Sequence, residues 1–244
     1  MIDRIRTALR TRRARQRARR AEWRARFGAD LDAPGARRAA RHDMNFWDHG
    51  FVRRLWKNRS EVAPGIWRGN QPSPEDVAGL AGMGIRTIIN FRGRNQWGSY
   101  MLEEEACAQH GITLVNGRLY SSSAPTPEQI HAALDLIEAA EKPVFIHCKS
   151  GADRAGLASV LYLLSQGGDP ARAARQLHWT RAHLSISRTG ILDAFLAAYA
   201  KARAETGIDF LEWVDTEYDF RTVESVFSDE RVKNRLLDWM LRRE

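Results

Sequence analysis

A cysteine and an arginine six positions apart are the residues of this sequence best suited to carry out chemistry. Cys148 and Arg154 enclose five residues, and from His147 onward the chain reads HCKSGADR. A thiolate is a strong nucleophile, and the planar guanidinium of an arginine can hold two oxygens of one phosphate group. The spacing therefore predicts a loop that binds a phosphate ester and attacks its phosphorus.

The elements on either side of this loop place it where an anion binds well. The apolar run 143–147 is too short for a helix and predicts a central strand, and a helix is predicted after the loop. Backbone amides at the N-terminus of a helix are unpaired and carry the positive end of its dipole, so a tight loop there surrounds a dianion. Gly151 allows the backbone to turn inward. We expect the same field to keep Cys148 ionised at neutral pH.

The remaining loop residues are predicted to bind the substrate or to support the loop. His147 is expected to hold the loop by hydrogen bonds without transferring a proton. Four residues are expected to contact the substrate phosphate: Lys149, Ser150, Gly151 and Ala152. The predicted chemistry uses no metal and no cofactor.

Other uses of a cysteine at this place fit the sequence less well. A zinc site would combine His147 and Cys148 with His178 or His183, but the paired ligand spacing of zinc sites is missing. A sulfurtransferase of the rhodanese type also holds a cysteine between a strand and a helix. The histidine before the cysteine and the arginine after it favour phosphate instead. An inert buried cysteine would not explain this combination of neighbours.

The positive charge of the chain is concentrated at its N-terminus. Of the formal net charge of +8, residues 1–41 carry +10, from 14 arginines and four acidic residues, which leaves −2 for the remaining 203 residues. Residues 1–27 favour a basic helical arm. Three roles stay open for the arm: a solvated segment, a helix on an anionic membrane surface, or a nucleic-acid-binding segment. Nucleic acid is the least favoured partner, because neither interleaved aromatic residues nor a recognisable fold supports it.

The cysteine content and the apolar pattern predict the compartment. The two cysteines, Cys107 and Cys148, argue against a disulfide scaffold and for a reducing environment. Cys107 lies in a predicted helix and is expected to be packed. No stretch approaches the ~20 apolar residues that span a bilayer, and the N-terminus lacks the apolar core of a signal peptide. The protein is therefore expected in the cytoplasm, with peripheral contact to the inner membrane surface left open.

The order of helix and strand signals predicts an α/β fold. Helices are predicted to begin at Ser73 and Thr126, each an N-cap residue followed by a proline. Further strands are predicted at 66–68, 87–91 and 112–115. This alternation predicts a central, mostly parallel sheet flanked by helices, with a basic helical extension at the N-terminus and a helical extension at the C-terminus.

Changes in composition divide the chain into three parts. Residues 1–41 are predicted to be an arginine-rich arm and linker, and residues 42–204 the catalytic domain. Residues 205–244 are predicted to be a helical extension that packs on the domain. Its apolar face is formed by Val232, Leu236, Leu237 and Met240.

The loop is similar to that of one enzyme superfamily. The pattern HCxxGxxR resembles the loop of the protein tyrosine and dual-specificity phosphatases, and it is present as His147, Cys148, Gly151 and Arg154. The segments IWRGNQP at 66–72 and GIRTIINFR at 84–92 look like the first strands of the compact, atypical dual-specificity phosphatases of bacteria, fungi and plants.

This resemblance covers about residues 62–203 and implies an activity. It implies hydrolysis of phosphomonoesters through a phosphocysteine, with Cys148 as nucleophile and Arg154 as phosphate clamp. The implied substrates are phosphotyrosine or phosphoserine proteins, or inositol and lipid phosphates. Lys149 after the nucleophile is similar to the loops of phosphoinositide phosphatases and adds charge where a second phosphate would lie.

The sequence departs from the family pattern at two places. Family members usually carry Ser or Thr after the arginine, where a hydroxyl eases departure of the thiolate; this chain has Ala155, and Ser150 is a partial substitute. The stretch 119–125, where the family often has its acidic proton donor, contains no acid. By similarity to myotubularin-like lipid phosphatases, Asp153 is the predicted proton donor, with an ion pair or a helix N-cap as alternative roles. These departures leave open a second function, a phosphate-binding pseudophosphatase.

Overall fold

The described part of the chain forms a five-stranded sheet with helices on both faces. The computed structural model describes residues 31–229, together with isolated positions between 11 and 22. The strands are β1 (Ser60–Ala63), β2 (Ile66–Gly69), β3 (Thr87–Asn90), β4 (Thr113–Asn116) and β5 (Val144–His147), in the sheet order β1-β2-β5-β3-β4. β1 is antiparallel to β2, and the other neighbouring pairs are parallel. The predicted α/β fold with a mostly parallel central sheet is confirmed.

The helices follow the strands in alternation along the chain. In order they are α1 (Ala36–His42), α2 (Gly50–Leu55), α3 (Pro74–Gly82), α4 (Gly98–Gln109), α5 (Pro127–Ala139), α6 (Arg154–Ser165), α7 (Pro170–Ala174), α8 (Ile191–Thr206) and α9 (Phe210–Thr216). A π-helical turn, Asp43–Trp47, joins α1 to α2, and residues 220–229 are also helical. α3 and α5 begin after Ser73 and Thr126, as predicted, each with a capping box. Among the described helices, none combines the length and the apolar character needed to cross a membrane.

The central strand β5 places the predicted loop at one edge of the sheet. All four residues of β5 are buried, with Ile146 in the core beneath α5, α6 and α8, and Phe145 in the core beneath α3 and α4. β2 and β3 flank β5 in register, so Gly69 and Asn90 both lie opposite His147. The carboxyl ends of three parallel strands therefore meet at the edge where α/β proteins bind ligands.

The chain before the first strand packs on α4. Arg37 of α1 forms an ion pair with Glu105, and the Gly98 amide donates to Asp43 Oδ2 at 2.9 Å. A side chain at position 98 would overlap the backbone of α1, so a glycine is required there. Residues 36–41 thus form a packed helix where the sequence predicts part of a linker, because the alanines of α1 bury one of its faces. The predicted division of the chain into three parts stays a prediction.

The described residues of the C-terminal extension pack on the domain. Phe195 and Tyr199 of α8 contact an aromatic cluster formed by Phe210, Trp213 and Tyr218. Such ring contacts contribute beyond the apolar area that they bury. The predicted apolar face of Val232, Leu236, Leu237 and Met240 lies outside the described residues.

Candidate active site

The predicted loop follows β5 directly and runs into α6. His147 is the last residue of β5 and Arg154 the first of α6, and Cys148 is almost fully buried at the edge of the sheet. Gly151 adopts a φ of +73°, and a Cβ on it would lie 2.6 Å from the carbonyl carbon of Gly69. Both the backbone conformation and the close approach of β2 therefore require glycine at this position.

The backbone carbonyl groups of residues 148–152 all accept hydrogen bonds from residues that precede the loop in the sequence. The carbonyls of residues 148–152 accept hydrogen bonds at distances up to 3.3 Å. Their donors, in chain order, are His147 Nδ1, the Gln71 amide, Asn58 Nδ2 and, for the last two, Arg68 Nη2.

This arrangement turns the amides of the loop inward. The C=O of one residue and the N–H of the next point in opposite directions across a planar trans peptide, so the amides of residues 149–153 face the inside of the loop. Within the described part of the chain, the amides of residues 149, 150, 151 and 153 have no acceptor, and that of Ala152 contacts Ser150 Oγ at 3.4 Å. The loop therefore presents a group of unpaired donors to an anion.

Arg68 on β2 is a fully buried cation beneath the loop. Its Nη1 donates to Gln176 O at 2.7 Å, while its Nη2 holds the last two loop carbonyls. Burial lowers the pKa of Arg68 to about 10; nearby Arg181 adds to the decrease, and the charges of Cys148 and Asp153 oppose it. Arg68 thus keeps its charge at neutral pH and places it beneath the loop, near Cys148 and Asp153. The loop motif itself gave no indication of this residue.

Arg154 supplies a cation at the end of the loop. Its side chain is partly exposed and makes no hydrogen bond or ion pair with another described residue. A guanidinium that is not engaged by protein groups is available to bind two oxygens of a phosphate.

His147 connects the loop to a buried carboxylate. Its Nε2 lies 2.7 Å from Glu103 Oε1, but the alignment is too poor for a hydrogen bond. The other carboxylate oxygen of Glu103 accepts from Gln71 Nε2 at 2.7 Å. Both His147 and Glu103 are fully buried, so packing holds the imidazole that donates to Cys148 O. This position suits the supporting role expected from the sequence.

A buried carboxylate from the N-terminal segment, Asp48, anchors Lys149. Asp48 Oδ1 lies 3.1 Å from Lys149 Nζ, and Arg92 donates to both carboxylate oxygens, at 2.7 and 3.1 Å. Arg53 and Ser99 also bind Asp48, at 3.1 and 2.7 Å. Burial by itself would raise the pKa of Asp48, but the hydrogen bond from Arg92 and the charges of its three basic neighbours hold that pKa well below its usual range. Asp48 is therefore a permanent counter-ion beside the loop, and the sequence did not indicate it.

Asp153 is paired with a buried histidine. His183 Nδ1 donates to Asp153 Oδ1 and its Nε2 to Asp193 Oδ2, both at 2.8 Å. Burial lowers the pKa of His183, but the hydrogen bonds with the two carboxylates outweigh burial and raise the pKa to about 9. His183 is thus an imidazolium at neutral pH and forms an ion pair with Asp153, one of the alternative roles expected for this residue. The Asp153 side chain makes no capping hydrogen bond to α6.

The histidines considered for a zinc site are engaged elsewhere. His183 lies between two carboxylates, and His178 is exposed, with its Nδ1 3.0 Å from Thr180 Oγ1. Over residues 31–229 and the isolated positions before them, no group of three or more His, Cys, Asp or Glu side chains is arranged to hold a metal ion.

Comparison with known proteins decides the family. A sequence model of the family described as "DSP-PTPase phosphatase fused to NAD+ Kinase" (PTP-NADK) matches residues 52–187, which is more than half of the chain. The chain belongs to this family. Membership confirms the predicted relation to the cysteine-based tyrosine and dual-specificity phosphatases, and with it a phosphatase domain.

The PTP-NADK domain is also similar to part of a much longer protein. Over 97 residues the chain is 29% identical to the probable NAD kinase 2, chloroplastic, of Oryza sativa subsp. japonica. The matched segment is 38% of this chain and 10% of that protein. The chain therefore spans about a tenth of the length of this relative.

Several solved phosphatase structures are similar to the PTP-NADK domain. TpbA of P. aeruginosa has a TM-score of 0.48 at 21% identity, with 61% of this chain and 91% of TpbA covered. A DUF442 protein of Shewanella putrefaciens has a TM-score of 0.49 at 19% identity, with 62% and 95% covered. The core catalytic domain of the PP-IP phosphatase SIW14 of S. cerevisiae has a TM-score of 0.45 at 17% identity, with 62% and 93% covered.

The structure shows what surrounds the two positions at which the sequence departs from the phosphatase pattern. The stretch 119–125 contains no acid of its own, but it contacts an acidic residue of the C-terminal extension. The Ala124 amide donates a hydrogen bond to Glu224 Oε1 at 3.1 Å. Glu224 follows Ala124 by 100 residues, so the sequence did not indicate this contact. Ala155, in place of a hydroxyl residue, is fully buried.

Cys107 lies on the other side of the sheet from the loop. It belongs to the core cluster beneath α3 and α4, whereas Cys148 belongs to the cluster on the opposite face. Burial, followed by the charges of Glu103 and Glu104, raises the pKa of Cys107 to about 12. Its thiol is therefore protonated at neutral pH, as suits a packed cysteine.

Proposed function

We propose that this protein hydrolyses phosphomonoesters, with Cys148 as the nucleophile that forms a phosphocysteine. The main support is the orientation of the loop, because its outward carbonyls leave unpaired amides around a buried thiol. The unpaired guanidinium of Arg154 and the buried charge of Arg68 add two positive charges at the same loop. An anion and a thiolate are both stabilised in such a place.

The proposed reaction has two displacement steps. The substrate phosphate binds to the amides of residues 149–153 and to Arg154, and the Cys148 sulfur bonds to phosphorus while the bond to the leaving oxygen breaks. The leaving oxygen takes up a proton. A water oxygen then bonds to phosphorus, the S–P bond breaks, and Cys148 leaves as a thiolate with inorganic phosphate as product. The amides and the guanidinium stabilise the charge on the equatorial oxygens in both steps.

Asp153 is the proposed donor of the proton to the leaving oxygen. It adjoins Arg154 in the loop, but its ion pair with His183, at 2.8 Å, supports the competing structural role. A phenolate leaves with less help from an acid than an alkoxide does. The ion pair therefore supports aryl phosphates, such as phosphotyrosine, as the better substrates.

The proposed substrate is a phosphorylated protein or a phosphorylated inositol or lipid. TpbA is known in complex with phosphotyrosine, and SIW14 is named a PP-IP phosphatase. In this chain Asp48 neutralises the positive charge of Lys149, which would otherwise attract a second phosphate group. The ion pair therefore supports phosphotyrosine proteins ahead of inositol polyphosphates. A panel of phosphotyrosine peptides, phosphoserine peptides, inositol phosphates and lipid-linked phosphates tests this order. A kcat/KM more than about tenfold higher for the polyphosphates would contradict it.

Replacing Cys148 by serine tests the nucleophile. We expect aryl phosphate hydrolysis to fall at least about 1,000-fold, because a serine hydroxyl is not ionised at neutral pH. Cys107→Ser is the matched control, since it changes the other cysteine and should leave kcat/KM within about threefold. Substrate binding retained in Cys148→Ser would show that the variant folds. Hydrolysis that persists in Cys148→Ser would exclude the proposed mechanism.

A phosphate-binding module without turnover is the second candidate function. Ala155 and the acid-free stretch 119–125 favour it, since both remove groups that assist turnover in the resembling phosphatases. Calorimetric titration with a phosphotyrosine peptide, combined with an aryl phosphate assay, separates the two functions. Binding without any hydrolysis would support the module.

The membrane-binding role of the basic arm and the cytoplasmic location remain predictions. Residues 1–27 lie mostly outside the described chain, and an anionic membrane surface is their favoured partner ahead of nucleic acid. Deleting residues 1–41 and measuring binding to anionic vesicles and to duplex DNA separates the two partners.

A further inference from the structure

Exposed apolar side chains are concentrated in one short segment before β1. Five of the eleven large exposed apolar side chains of the described chain lie within residues 46–56. These five form what we call the aromatic patch: Phe46, Phe51, Val52, Leu55 and Trp56. Leu55 is 87% exposed and Phe46 63%. A concentration of exposed apolar side chains of this kind marks an interaction site.

The segment is amphipathic in the reverse sense of a normal surface helix. Its inner face buries polar and charged groups, with Asp48 and Arg53 joined by an ion pair and Gly50 packed against Met44 O. Its outer face carries the aromatic patch. A helix of a globular protein normally turns its apolar stripe to the core. The fixed inner face therefore holds the apolar side chains toward the outside.

The exposed charge of the segment is positive, and the net charge of the chain before it is positive as well. Residues 46–56 contain two arginines, Arg53 and Arg54, and a single acid, Asp48, which is fully buried and paired with Arg53. Arg54 is exposed beside the aromatic patch. The first 30 residues add eleven arginines against three acids. No exposed carboxylate of the segment would oppose an anionic partner.

We infer that the aromatic patch docks on the interface of a bilayer that contains anionic lipids. Aromatic and aliphatic side chains on a short helix, with basic residues around them, are the composition that inserts at the boundary between headgroups and acyl chains. Basic residues near the surface of an anionic leaflet add electrostatic attraction. Docking does not depend on phosphatase activity.

Docking through the aromatic patch would bring the phosphate-binding loop close to the membrane. Asp48 lies in the same segment and contacts Lys149 Nζ at 3.1 Å, while Asn58 just beyond the segment donates to Ser150 O at 3.3 Å. The segment thus touches the loop with its inner face and the bilayer with its outer face. Phosphorylated groups at the membrane surface would be the substrates within reach.

The test measures binding of the full-length protein to vesicles. Vesicles of phosphatidylcholine alone are compared with vesicles in which about a third of the lipid is phosphatidylglycerol. The double variant Phe51→Asp, Leu55→Asp should lose at least about 30-fold in partition coefficient on the anionic vesicles, since two apolar side chains that insert into the bilayer are replaced by negative charges that the anionic lipid repels. Val226→Asp is the matched control, because Val226 is 52% exposed and Phe51 51%. It should bind within about twofold of the unchanged protein.

Aryl phosphate hydrolysis and oligomeric state are measured on the same samples. Hydrolysis equal to that of the unchanged protein shows that the variants fold; circular dichroism serves if the protein has no hydrolytic activity. Equal vesicle binding by the double variant would overturn the inference, because the arm alone would then carry the binding. Equal binding to neutral and anionic vesicles would also overturn it. So would a dimer of the unchanged protein that the double variant dissociates, since a second copy would then cover the aromatic patch.

Discussion

His183 offers a sharp test of the electrostatics beside the loop. The imidazole is buried between Asp153 and Asp193, with both ring nitrogens at 2.8 Å from a carboxylate oxygen. Its pKa is raised from 6.5 to about 9, because the two carboxylates outweigh the opposing effect of burial. The folded protein therefore binds a proton at His183 over a pH range in which the unfolded chain has lost it.

The stabilisation from this proton has a defined size and direction. A pKa of about 9 in the folded protein against 6.5 in the unfolded chain corresponds to about 3 kcal/mol. Because the folded pKa is the higher one, the contribution is complete below pH 6.5 and is lost as the pH rises through 9. We expect about 2 kcal/mol at pH 7.5 and almost none at pH 9.5.

Urea unfolding of the His183→Gln variant measures this contribution. The difference in free energy of unfolding between the unchanged protein and the variant should be about 3 kcal/mol larger at pH 6 than at pH 9.5. Comparison with the variant at each pH cancels the titration of other groups. His131→Gln is the matched control: His131 also pairs with a carboxylate, Asp215 at 2.7 Å, but both side chains are exposed. Exposed pairs contribute less than about 1 kcal/mol, so this control should show little pH dependence.

A pH-independent difference for His183→Gln would refute the reasoning. It would mean that the pKa of His183 is the same in the folded protein and in the unfolded chain, so that the two carboxylates do not stabilise an imidazolium. The ion pair would then no longer support a structural role for Asp153.

Other substitutions in and around the loop have defined outcomes. Gly151→Ala should lower aryl phosphate hydrolysis at least about tenfold, because the added Cβ is sterically strained there. In Gly79→Ala, the control in α3, the added Cβ has no atom within 4 Å. This control should retain activity, and its free energy of unfolding in urea should rise by about 1 kcal/mol. Ala155→Ser should reduce the pre-steady-state burst with an aryl phosphate, because the hydroxyl eases thiolate departure; an unchanged burst would contradict this role. Asp153→Asn should slow alkyl phosphates by about 100-fold and aryl phosphates by less than about tenfold; equal losses would reject Asp153 as proton donor. Asp48→Asn leaves buried cations unpaired and should cost about 3 kcal/mol in urea unfolding; a cost below about 1 kcal/mol would show that these cations do not need Asp48.

The local signals of the sequence predicted the frame of the site well. The run before Cys148 is apolar and short, and it forms the buried strand β5; the capping residues Ser73 and Thr126 begin α3 and α5 as expected. These features depend on neighbours within a few residues, which a sequence pattern contains directly. The α/β fold followed from the alternation of such signals.

The sequence was less informative where charge pairing decides the role of a residue. Lys149 was expected to offer its charge to a second phosphate, yet it lies against Asp48, which precedes it by about 100 residues. Asp153 was expected to donate a proton, and the structure pairs it with His183, 30 positions later. Neither partner has a spacing that the motif defines.

The sequence by itself determined the nucleophile candidate, the phosphate clamp and the strand and helix that carry them, because all of these lie within one continuous segment of the chain. The tertiary structure decided which distant side chains hold that segment. Arg68 and Asn58 donate hydrogen bonds to its outward carbonyls, and Asp48 and His183 form ion pairs with Lys149 and Asp153. The physical reason is that a peptide loop becomes an anion site only when its carbonyls are satisfied elsewhere, and the donors come from elements that meet only when the sheet forms.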